Sequence, residues 1–313
     1  PVLRSVYENG LLHVSAMVDI TRNTLPASWI SVSDDDYNTS FQRAINRLNP
    51  TAGIMGQLVL CHQNSQQLSL MVVLHHLVVD GVSWRILLPE LEFAVMSAVQ
   101  GAASIIPPEE YALTDWAAAL NAQVARRRET ESTFWLQQLS EPLPSLGSRA
   151  LTAGDTHATV THQRLLVPST LSQSLLLSLP TAYRVNIEEM LLTVVAKACV
   201  KVFAMPTMRF MLESHGRHAE NDLQDLNRTV GWLTNEYPVL LAFDTNTVDP
   251  PMDVKTVKQA LRQTPDAGLG YSILRYLDDS AAEIRAAEIA HRPSVLFNYL
   301  GRFTQSSADW TPQ

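Results

Sequence analysis

An apolar run, Leu68 to Leu74, leads directly into His75 and His76, and no other feature of the chain constrains the fold as strongly. The run predicts a strand, and Asp80-Gly81, which begins four residues after His76, predicts a turn into a helix with Asp80 as its N-cap. Adjacent residues of an extended chain point to opposite faces, so only one of the two imidazoles can face a given cavity.

The two histidines have both a catalytic and a structural interpretation. Histidine has the unperturbed pKa nearest neutrality, so an imidazole at the end of a strand suits proton transfer. A histidine pair on an apolar strand is also common as a structural feature, and Asp80 can be a cap and nothing more. No metal site is predicted, because the rings of His75 and His76 diverge and no cysteine or histidine recurs at zinc-ligand spacing.

Strands and helices alternate in both halves of the chain, which predicts an α/β protein. Asn9-Gly10, between two apolar pairs, is typical of a β-hairpin turn. Pro89 is expected to kink or break the long helix that follows Asp80. The predicted helices lie at about 37–48, 82–99, 114–124, 130–139, 169–183 and 187–203, and the predicted strands at about 57–61, 68–74, 157–167 and 208–212.

Length and charge limit the classes of protein to which the chain can belong. Its 313 residues suffice for two lobes, and a net charge of -8 argues against a nucleic-acid partner. Two cysteines in apolar segments, the lack of a signal peptide and the lack of an apolar run near the ~20 residues of a membrane span predict a cytoplasmic protein with no membrane partner. Because the sequence opens abruptly at Pro1 without a methionine, we expect it to be an excerpt.

Two segments bear on the organisation of the chain. Residues 141–154 are rich in Pro, Ser and Gly, and they are expected to link an N-terminal lobe, 1–140, to a C-terminal lobe, 155–313. Arg126 to Arg128 are expected at the C-terminal end of a helix, either as a solvated last turn or as a docking patch for an acidic partner.

A second group of ionisable residues follows the predicted strand at 208–212. Glu213 precedes His215, a glycine that allows a tight turn, and Arg217. Taken alone, Glu213 and Arg217 are best interpreted as a surface ion pair. The chain contains no P-loop, dinucleotide-binding fingerprint or nucleophile elbow, since Gly268-Leu269-Gly270 lacks a third glycine.

Five segments between His75 and Gly301 form an ordered series. They are His75-His76-Leu-Val-Val-Asp80-Gly-Val-Ser83-Trp84, Glu213-Ser-His215-Gly-Arg217, Thr229-Val-Gly-Trp232-Leu-Thr-Asn-Glu-Tyr237-Pro238-Val, Pro265-Asp-Ala-Gly-Leu-Gly-Tyr271 and Phe297-Asn298-Tyr299-Leu-Gly301. In this order they resemble the motifs of the epimerization domains of nonribosomal peptide synthetases, which belong to the condensation-domain superfamily. In that family the pair Ser83-Trp84 separates epimerization domains from plain condensation domains.

The resemblance implies an α/β fold of two chloramphenicol acetyltransferase-like lobes. They would form a V-shaped pseudo-dimer of mixed sheets flanked by helices, with the active site in a tunnel between them. The implied reaction converts the α-carbon of an aminoacyl or peptidyl thioester from L to D. The substrate would be attached to the phosphopantetheine arm of an upstream peptidyl carrier domain of the same synthetase, beside an adjacent condensation domain. The domain itself would need no cofactor and no metal.

His76 and Glu213 are the implied catalytic residues, one from each lobe. Inversion of a centre without moving the substrate favours two acid-base groups on opposite sides, and proton donation by Glu213 near neutral pH requires burial to raise its pKa. The residues implied to stabilise the enolate are Asn298 and Tyr299, and those implied to hold the loops are Asp80 and Arg217. The motif residues expected to be structural are His75, Ser83, Trp84, His215 and Trp232. Which group removes the L-proton, and whether Glu213 acts alone, stays open.

The chain departs from the family in three places, and other functions remain open. His218 stands where the family has a second glutamate, the opening motif is absent, and the segment expected after Gly301 stops at Gln313. Both ends of the domain are therefore expected to be missing. The alternatives are a condensation domain that forms peptide bonds with the same second histidine, a non-catalytic module that docks a carrier domain, and a stand-alone acetyltransferase.

Overall fold

The structure is a computed structural model that describes residues 2–14, 30–64, 67–107, 109, 111–144, 146–149, 151–217, 225–245 and 249–301. These residues divide into two compact units. The first contains the described residues up to Ala119 and those between Arg217 and Thr234, and the second contains Leu120–Gly216 and Asn235–Gly301. Residues 141–154 lie within the second unit, and their role as a linker between two lobes stays a prediction. His218 and the last residues of the chain lie outside the described ranges.

A hairpin and a mixed three-stranded sheet form the β-structure of the first unit. Its strands are β1 (Val6–Glu8), β2 (Leu11–His13), β3 (Ile30–Ser33), β4 (Gly56–Asn64) and β5 (Gln67–Leu74). In the sheet, β3 runs parallel to β4, and β4 runs antiparallel to β5. The hairpin turns at Asn9-Gly10 with positive φ at both residues, as the Asn-Gly sequence predicts.

The first unit also contains helices α1 (Tyr37–Arg47) and α2 (Gly81–Val99), and helix α3 (Leu113–Ala122) continues across its boundary. Helix α2 is continuous through Pro89, so the predicted break is absent. The carbonyl that loses its helical partner to Pro89 belongs to Arg85, which is exposed and can therefore be hydrated. One small core, around Met55, Val78 and Val79, packs the chain between β5 and α2.

The second unit places a larger core on one mixed sheet. Strand β6 (Thr207–Ser214) lies between β7 (Asn235–Ala242), which is antiparallel to it, and β8 (Val295–Phe297), which is parallel. The helices are α4 (Val124–Gln138), α5 (Ser169–Gln173), α6 (Leu179–Tyr183), α7 (Ile187–Phe203), α8 (Pro250–Gln263), α9 (Leu269–Tyr276) and α10 (Ala282–His291), and a π-helical turn (Ser174–Ser178) joins α5 to α6. The predicted α/β class, with mixed sheets flanked by helices, is confirmed. No helix in the described ranges is both long and apolar enough to cross a membrane.

Two predictions about the second unit are wrong. Residues 157–167 form a short 3-10 turn, His157–Thr159, and an exposed irregular segment instead of a strand. These side chains are exposed, so the segment has no buried face by which a strand could pack. Arg126 to Arg128 lie near the beginning of α4 instead of at the end of a helix, and Arg127 is 1% exposed.

A buried charge network accounts for the position of Arg127. Its guanidinium contacts Glu131 and Asp266, each at 2.5 Å, and Trp135 donates its indole N–H to the Glu131 carboxylate at 3.0 Å. Burial would lower the pKa of Arg127, but the two carboxylates outweigh it and raise the pKa. The docking-patch interpretation is therefore wrong for Arg127, because a buried and paired side chain is not available to a partner.

Gly268 is expected to be one of the least replaceable residues of the second unit. Its φ is +84°, and a Cβ built there would lie 2.0 Å from the ring of Tyr237, which is buried. Left-handed strain of about 1–2 kcal/mol and overpacking of about 1–3 kcal/mol together predict that Gly268→Ala lowers the free energy of unfolding by about 2–5 kcal/mol. Denaturant unfolding followed by circular dichroism measures the loss.

Gly101→Ala is the matched control for this prediction. Gly101 has a φ of +68° and open space around its Cα, so its replacement adds backbone strain without a clash. The loss there should be about 1–2 kcal/mol. Equal losses for the two variants would contradict the close packing of Gly268 against Tyr237.

Candidate active site

His75 and His76 follow β5 and have different surroundings. His75 is half-buried, and its Nδ1 accepts the N–H of Leu77 at 3.2 Å. Burial, and to a smaller extent the charge of His76, lowers the pKa of His75, so its ring is neutral at physiological pH. His76 begins the 3-10 turn His76–Val78, and its side chain is exposed. Only His76 therefore presents its ring to solvent or to a ligand.

The indole of Trp232 lies against the His76 ring. The two ring centroids are 4.7 Å apart, and the ring planes meet at 61°. Both residues belong to the first unit, although 156 positions separate them in the sequence. The structure thus brings together the first and third motifs.

Asp80 is the N-cap of α2 and the centre of a buried hydrogen-bond network. Its carboxylate accepts the N–H of Ser83 at 2.8 Å and the N–H of Leu233 at 3.1 Å. Arg217 donates to both carboxylate oxygens, at 2.8 and 3.0 Å, and also to the carbonyl of Thr229 at 3.1 Å. A bidentate contact of this kind fixes the orientation of the carboxylate and also compensates its charge.

The ionic state of Asp80 follows from these partners. Burial by itself raises the pKa of the carboxyl, but the hydrogen bond and charge of Arg217, together with the N–H groups of Ser83 and Leu233, outweigh burial. The net pKa lies below the ordinary value of 3.8, so Asp80 is a carboxylate at neutral pH. Asp80 and Arg217 thus share one ion pair, and the loop-holding role expected for them stays a prediction.

Ser83 and Trp84 support the same region from the first turn of α2. The hydroxyl oxygen of Ser83 lies 2.9 Å from the carbonyl of Gly231 and accepts the N–H of Gly231 at 3.1 Å. Trp84 packs against the small core around Val78 and Val79. These contacts are structural, and none of them requires Ser83 or Trp84 to take part in a reaction.

Glu213 lies in β6, one residue before the strand ends. Its carboxylate accepts a hydrogen bond from the side-chain amide of Asn298, which follows β8. Because that amide has two N–H groups, one can hold Glu213 while the other remains for a substrate oxygen. Glu236 is the register partner of Glu213 on β7, so both side chains leave the sheet on the same face. His215 is exposed, and Tyr299 is half-buried.

Asn235 and Glu109 support the two candidate regions through contacts that the sequence does not predict. Asn235 Oδ1 lies 3.0 Å from the Ser214 hydroxyl, and its amide donates to the carbonyl of Ala267 at 3.3 Å, which ties the turn after Glu213 to the loop before α9. In the first unit, Glu109 accepts the N–H of Val230 at 3.2 Å. Burial raises the pKa of Glu109, and that N–H partly offsets the rise. Hydrogen bonds of single polar side chains to distant residues leave no periodic signal in the sequence, so only the structure reveals them.

The candidate residues therefore form two clusters, one in each unit. The first contains His76, Asp80, Arg217 and Trp232, and the second contains Glu213 and Asn298. Within the described ranges, no group of three or more His, Cys, Asp or Glu side chains has an arrangement that could hold a metal ion. The chemistry that these clusters offer is proton transfer by an imidazole and by a carboxylate.

Comparison with known proteins identifies the family to which the chain belongs. A family model described as the Condensation domain matches residues 1–311, and the chain belongs to this family. Over 262 residues, or 82% of the chain, it is 36% identical to a linear gramicidin synthase of Brevibacillus parabrevis. Over 241 residues, or 76% of the chain, it is 34% identical to vanchrobactin synthetase VabF of Vibrio anguillarum. The chain spans only 3% and 8% of the length of these two relatives.

Two solved structures of different domains are similar to this chain, to different degrees. The epimerization domain from the third module of tyrocidine synthetase B is similar with a TM-score of 0.80 and 25% identity, over 96% of this chain and 68% of that one. The first condensation domain of the calcium-dependent antibiotic synthetase is similar with a TM-score of 0.61 and 19% identity, over 86% of this chain and 58% of that one. The second likeness establishes the fold alone. The chain is thus a condensation-superfamily domain whose relatives include peptide synthetases.

Proposed function

We propose that this domain epimerises the α-carbon of an aminoacyl or peptidyl thioester, from L to D, in nonribosomal peptide synthesis. The observation that carries the proposal is the greater similarity to an epimerization domain, in both TM-score and coverage, than to a condensation domain. The pair Ser83-Trp84 and the segment from Thr229 to Pro238 support it, because they resemble epimerization motifs.

The chemistry requires one proton to leave the α-carbon and another to arrive on the opposite face. When a base takes the α-proton, the electron pair of the C–H bond moves into conjugation with the thioester carbonyl and forms an enolate. A second group, acting as an acid, then donates a proton to the other face. After one turnover the first group is protonated and the second is deprotonated, so their roles are exchanged. General acid-base catalysis contributes about 10²- to 10⁴-fold, so donors to the enolate oxygen must supply much of the rest.

Glu213 and His76 are the groups to which we assign the two proton transfers. The side chain of Glu213 is held by a hydrogen bond from Asn298, and a carboxylate is a suitable general base. The ring of His76 is exposed, and an imidazole has nitrogens that can accept or donate a proton. The proposal requires both groups to act on the same α-carbon, with Asn298 or Tyr299 donating to the enolate oxygen.

The substrate would be presented by an upstream peptidyl carrier domain, with an adjacent condensation domain as a second neighbour. The relatives are multidomain synthetases many times longer than this chain, which supports partners of this kind. The thioester would arrive on the phosphopantetheine arm of the carrier, and the proposal assigns no cofactor to the domain itself. We propose that the domain acts in the cytoplasm, as part of the same synthetase as the carrier.

Condensation is the second candidate, because the matching family model is that of the condensation domain and His76 also fits that reaction. It gives no evident part to the carboxylate of Glu213, which makes it the weaker proposal.

A carrier loaded with an L-aminoacyl group and supplied without an acceptor amine separates the two candidates. Epimerization predicts a mixture of L and D amino acid after hydrolysis of the thioester and chiral chromatography. A carrier incubated without the domain is the control. Retention of the L form, together with peptide formation once an acceptor is added, would overturn the proposal in favour of condensation.

A further inference from the structure

Trp232 lies against the proposed catalytic histidine without being part of the core. Its ring centroid is 4.7 Å from that of His76, yet 50% of its surface is exposed. Tryptophans in folded proteins are highly buried on average, so a half-exposed ring contributes less to packing than its size allows. The contact with His76 therefore needs an explanation other than core formation.

The backbone on both sides of Trp232 is tied to the segment that carries His76. The Gly231 N–H donates to Ser83 Oγ at 3.1 Å, and the Leu233 N–H donates to the Asp80 carboxylate at 3.1 Å. Asp80 and Ser83 follow His76 by only four and seven residues. The backbone of Trp232 thus cannot move relative to this segment without breaking buried hydrogen bonds.

Gly231 allows the close approach that these hydrogen bonds require. A Cβ at this position would lie 3.0 Å from the side chain of Leu233 and 3.2 Å from that of Leu113. On the other side of the contact, Val78 and Val79, which are 0% and 3% exposed, anchor the turn that begins at His76. Rigid backbone therefore supports both rings.

The side chain of His76 needs a support of this kind. It is exposed at the first residue of a short turn, where an imidazole without neighbours would exchange between staggered rotamers. The indole of Trp232 excludes those rotamers of His76 that would overlap with it sterically. Proton transfer to carbon depends steeply on the position of the base, so such a restriction affects the rate.

We propose that Trp232 is a positioning residue that holds the His76 imidazole in the orientation used for proton transfer. The inference rests on the proposed function, since it assigns Trp232 a part in the reaction through His76. Trp232 itself need not touch the reacting atoms.

The first test compares the exchange of the substrate α-proton with solvent deuterium in variants of the whole domain. Trp232→Leu is expected to lower kcat by about 10- to 100-fold with little change in KM for the loaded carrier, because it affects the orientation of a base and not carrier binding. Trp232→Phe retains an aromatic wall and should recover most of the rate. Phe93→Leu is the matched control, since Phe93 is an aromatic residue of the same unit, 52% exposed, outside both clusters.

A second test measures the contact without relying on activity. In the NMR spectrum of histidine-labelled protein, the ring current of Trp232 should displace the C–H resonances of His76, which are assigned by their absence from His76→Ala. Trp232→Leu should remove the displacement, and Trp232→Phe should keep part of it.

The outcomes separate this inference from the proposed function. A displaced His76 resonance with a loss of exchange in Trp232→Leu supports both. Exchange at the unsubstituted rate in Trp232→Leu, or an unchanged His76 resonance, overturns the positioning role and leaves the proposed function intact. No exchange in the unsubstituted domain overturns the proposed function and the inference together.

Discussion

Replacement of Glu213 by Gln is expected to abolish measurable exchange of the substrate α-proton with deuterium from the solvent. The amide keeps the shape of the side chain and a hydrogen-bonding oxygen for Asn298, but it can neither accept nor donate a proton at neutral pH. Loss of an acid-base group costs about 10²- to 10⁴-fold. We expect the same loss for His76→Ala, because deuterium enters the α-carbon only when inversion is completed, and inversion needs one group on each face. Mass spectrometry of the thioester after incubation in deuterium oxide measures the exchange.

Glu236→Gln is the control that tests which carboxylate acts. Glu236 is the register partner of Glu213 and leaves the sheet on the same face, so it reports the effect of removing a neighbouring negative charge. We expect this variant to keep most of the exchange activity. Exchange at the normal rate in Glu213→Gln or in His76→Ala would show that the residue concerned is not an essential base.

Arg217→Met is expected to have the largest effect on stability. The side chains of Arg217 and Asp80 are 4% and 1% exposed, and the replacement leaves a carboxylate buried without its counter-charge. Removal of one partner from a buried ion pair costs about 3–5 kcal/mol in free energy of unfolding. Urea unfolding measures the loss. The double replacement Asp80→Asn with Arg217→Met should recover part of it, because it removes the uncompensated charge.

Arg149→Met is the control for the buried pair. Arg149 also contacts an aspartate, Asp155, through two hydrogen bonds, at 2.6 and 2.7 Å, but 60% of its side chain is exposed. Water screens that pair, so its loss should change stability little. An equally small effect of Arg217→Met would contradict the structural role of the Asp80 network.

The stability of the Asp80 network should also depend on pH. The pKa of Asp80 is lower in the folded protein than its ordinary value of 3.8, so the unfolded chain binds the proton more tightly. The contribution of the network to stability is therefore fully present above about pH 4 and is lost as the pH falls through the lowered pKa. Unfolding midpoints measured from pH 6 to pH 3 should fall more steeply for the unsubstituted domain than for the double variant.

The elements with a strong periodic signal can be predicted from the sequence. Helix α7 begins and ends at the predicted residues, and Asp80 caps α2 as expected. The strand prediction for residues 157–167 is wrong because a strand needs a neighbouring strand for its hydrogen bonds, and the described structure gives these residues none. Arg126 to Arg128 mislead because basic residues are ordinarily solvated, whereas the partners of Arg127 include Asp266, far along the chain.

The candidate site is predictable where a motif carries it. The choice of His76 and Glu213 as candidates, and the N-cap at Asp80, follow from short segments of sequence. The contact of Trp232 with His76 and the hydrogen bond from Asn298 to Glu213 do not, because each joins residues more than 80 positions apart. Packing and hydrogen bonding in three dimensions supply this part of the account.

The most direct measurement follows chirality and label together during a single turnover in deuterium oxide, starting separately from the L and the D thioester. Two groups on opposite faces predict that the inverted product carries one α-deuterium, while the unconverted substrate keeps its α-protium, whichever enantiomer is supplied. Inverted product that retains the original protium would show that one base works on both faces. No inversion from either enantiomer would contradict the account altogether.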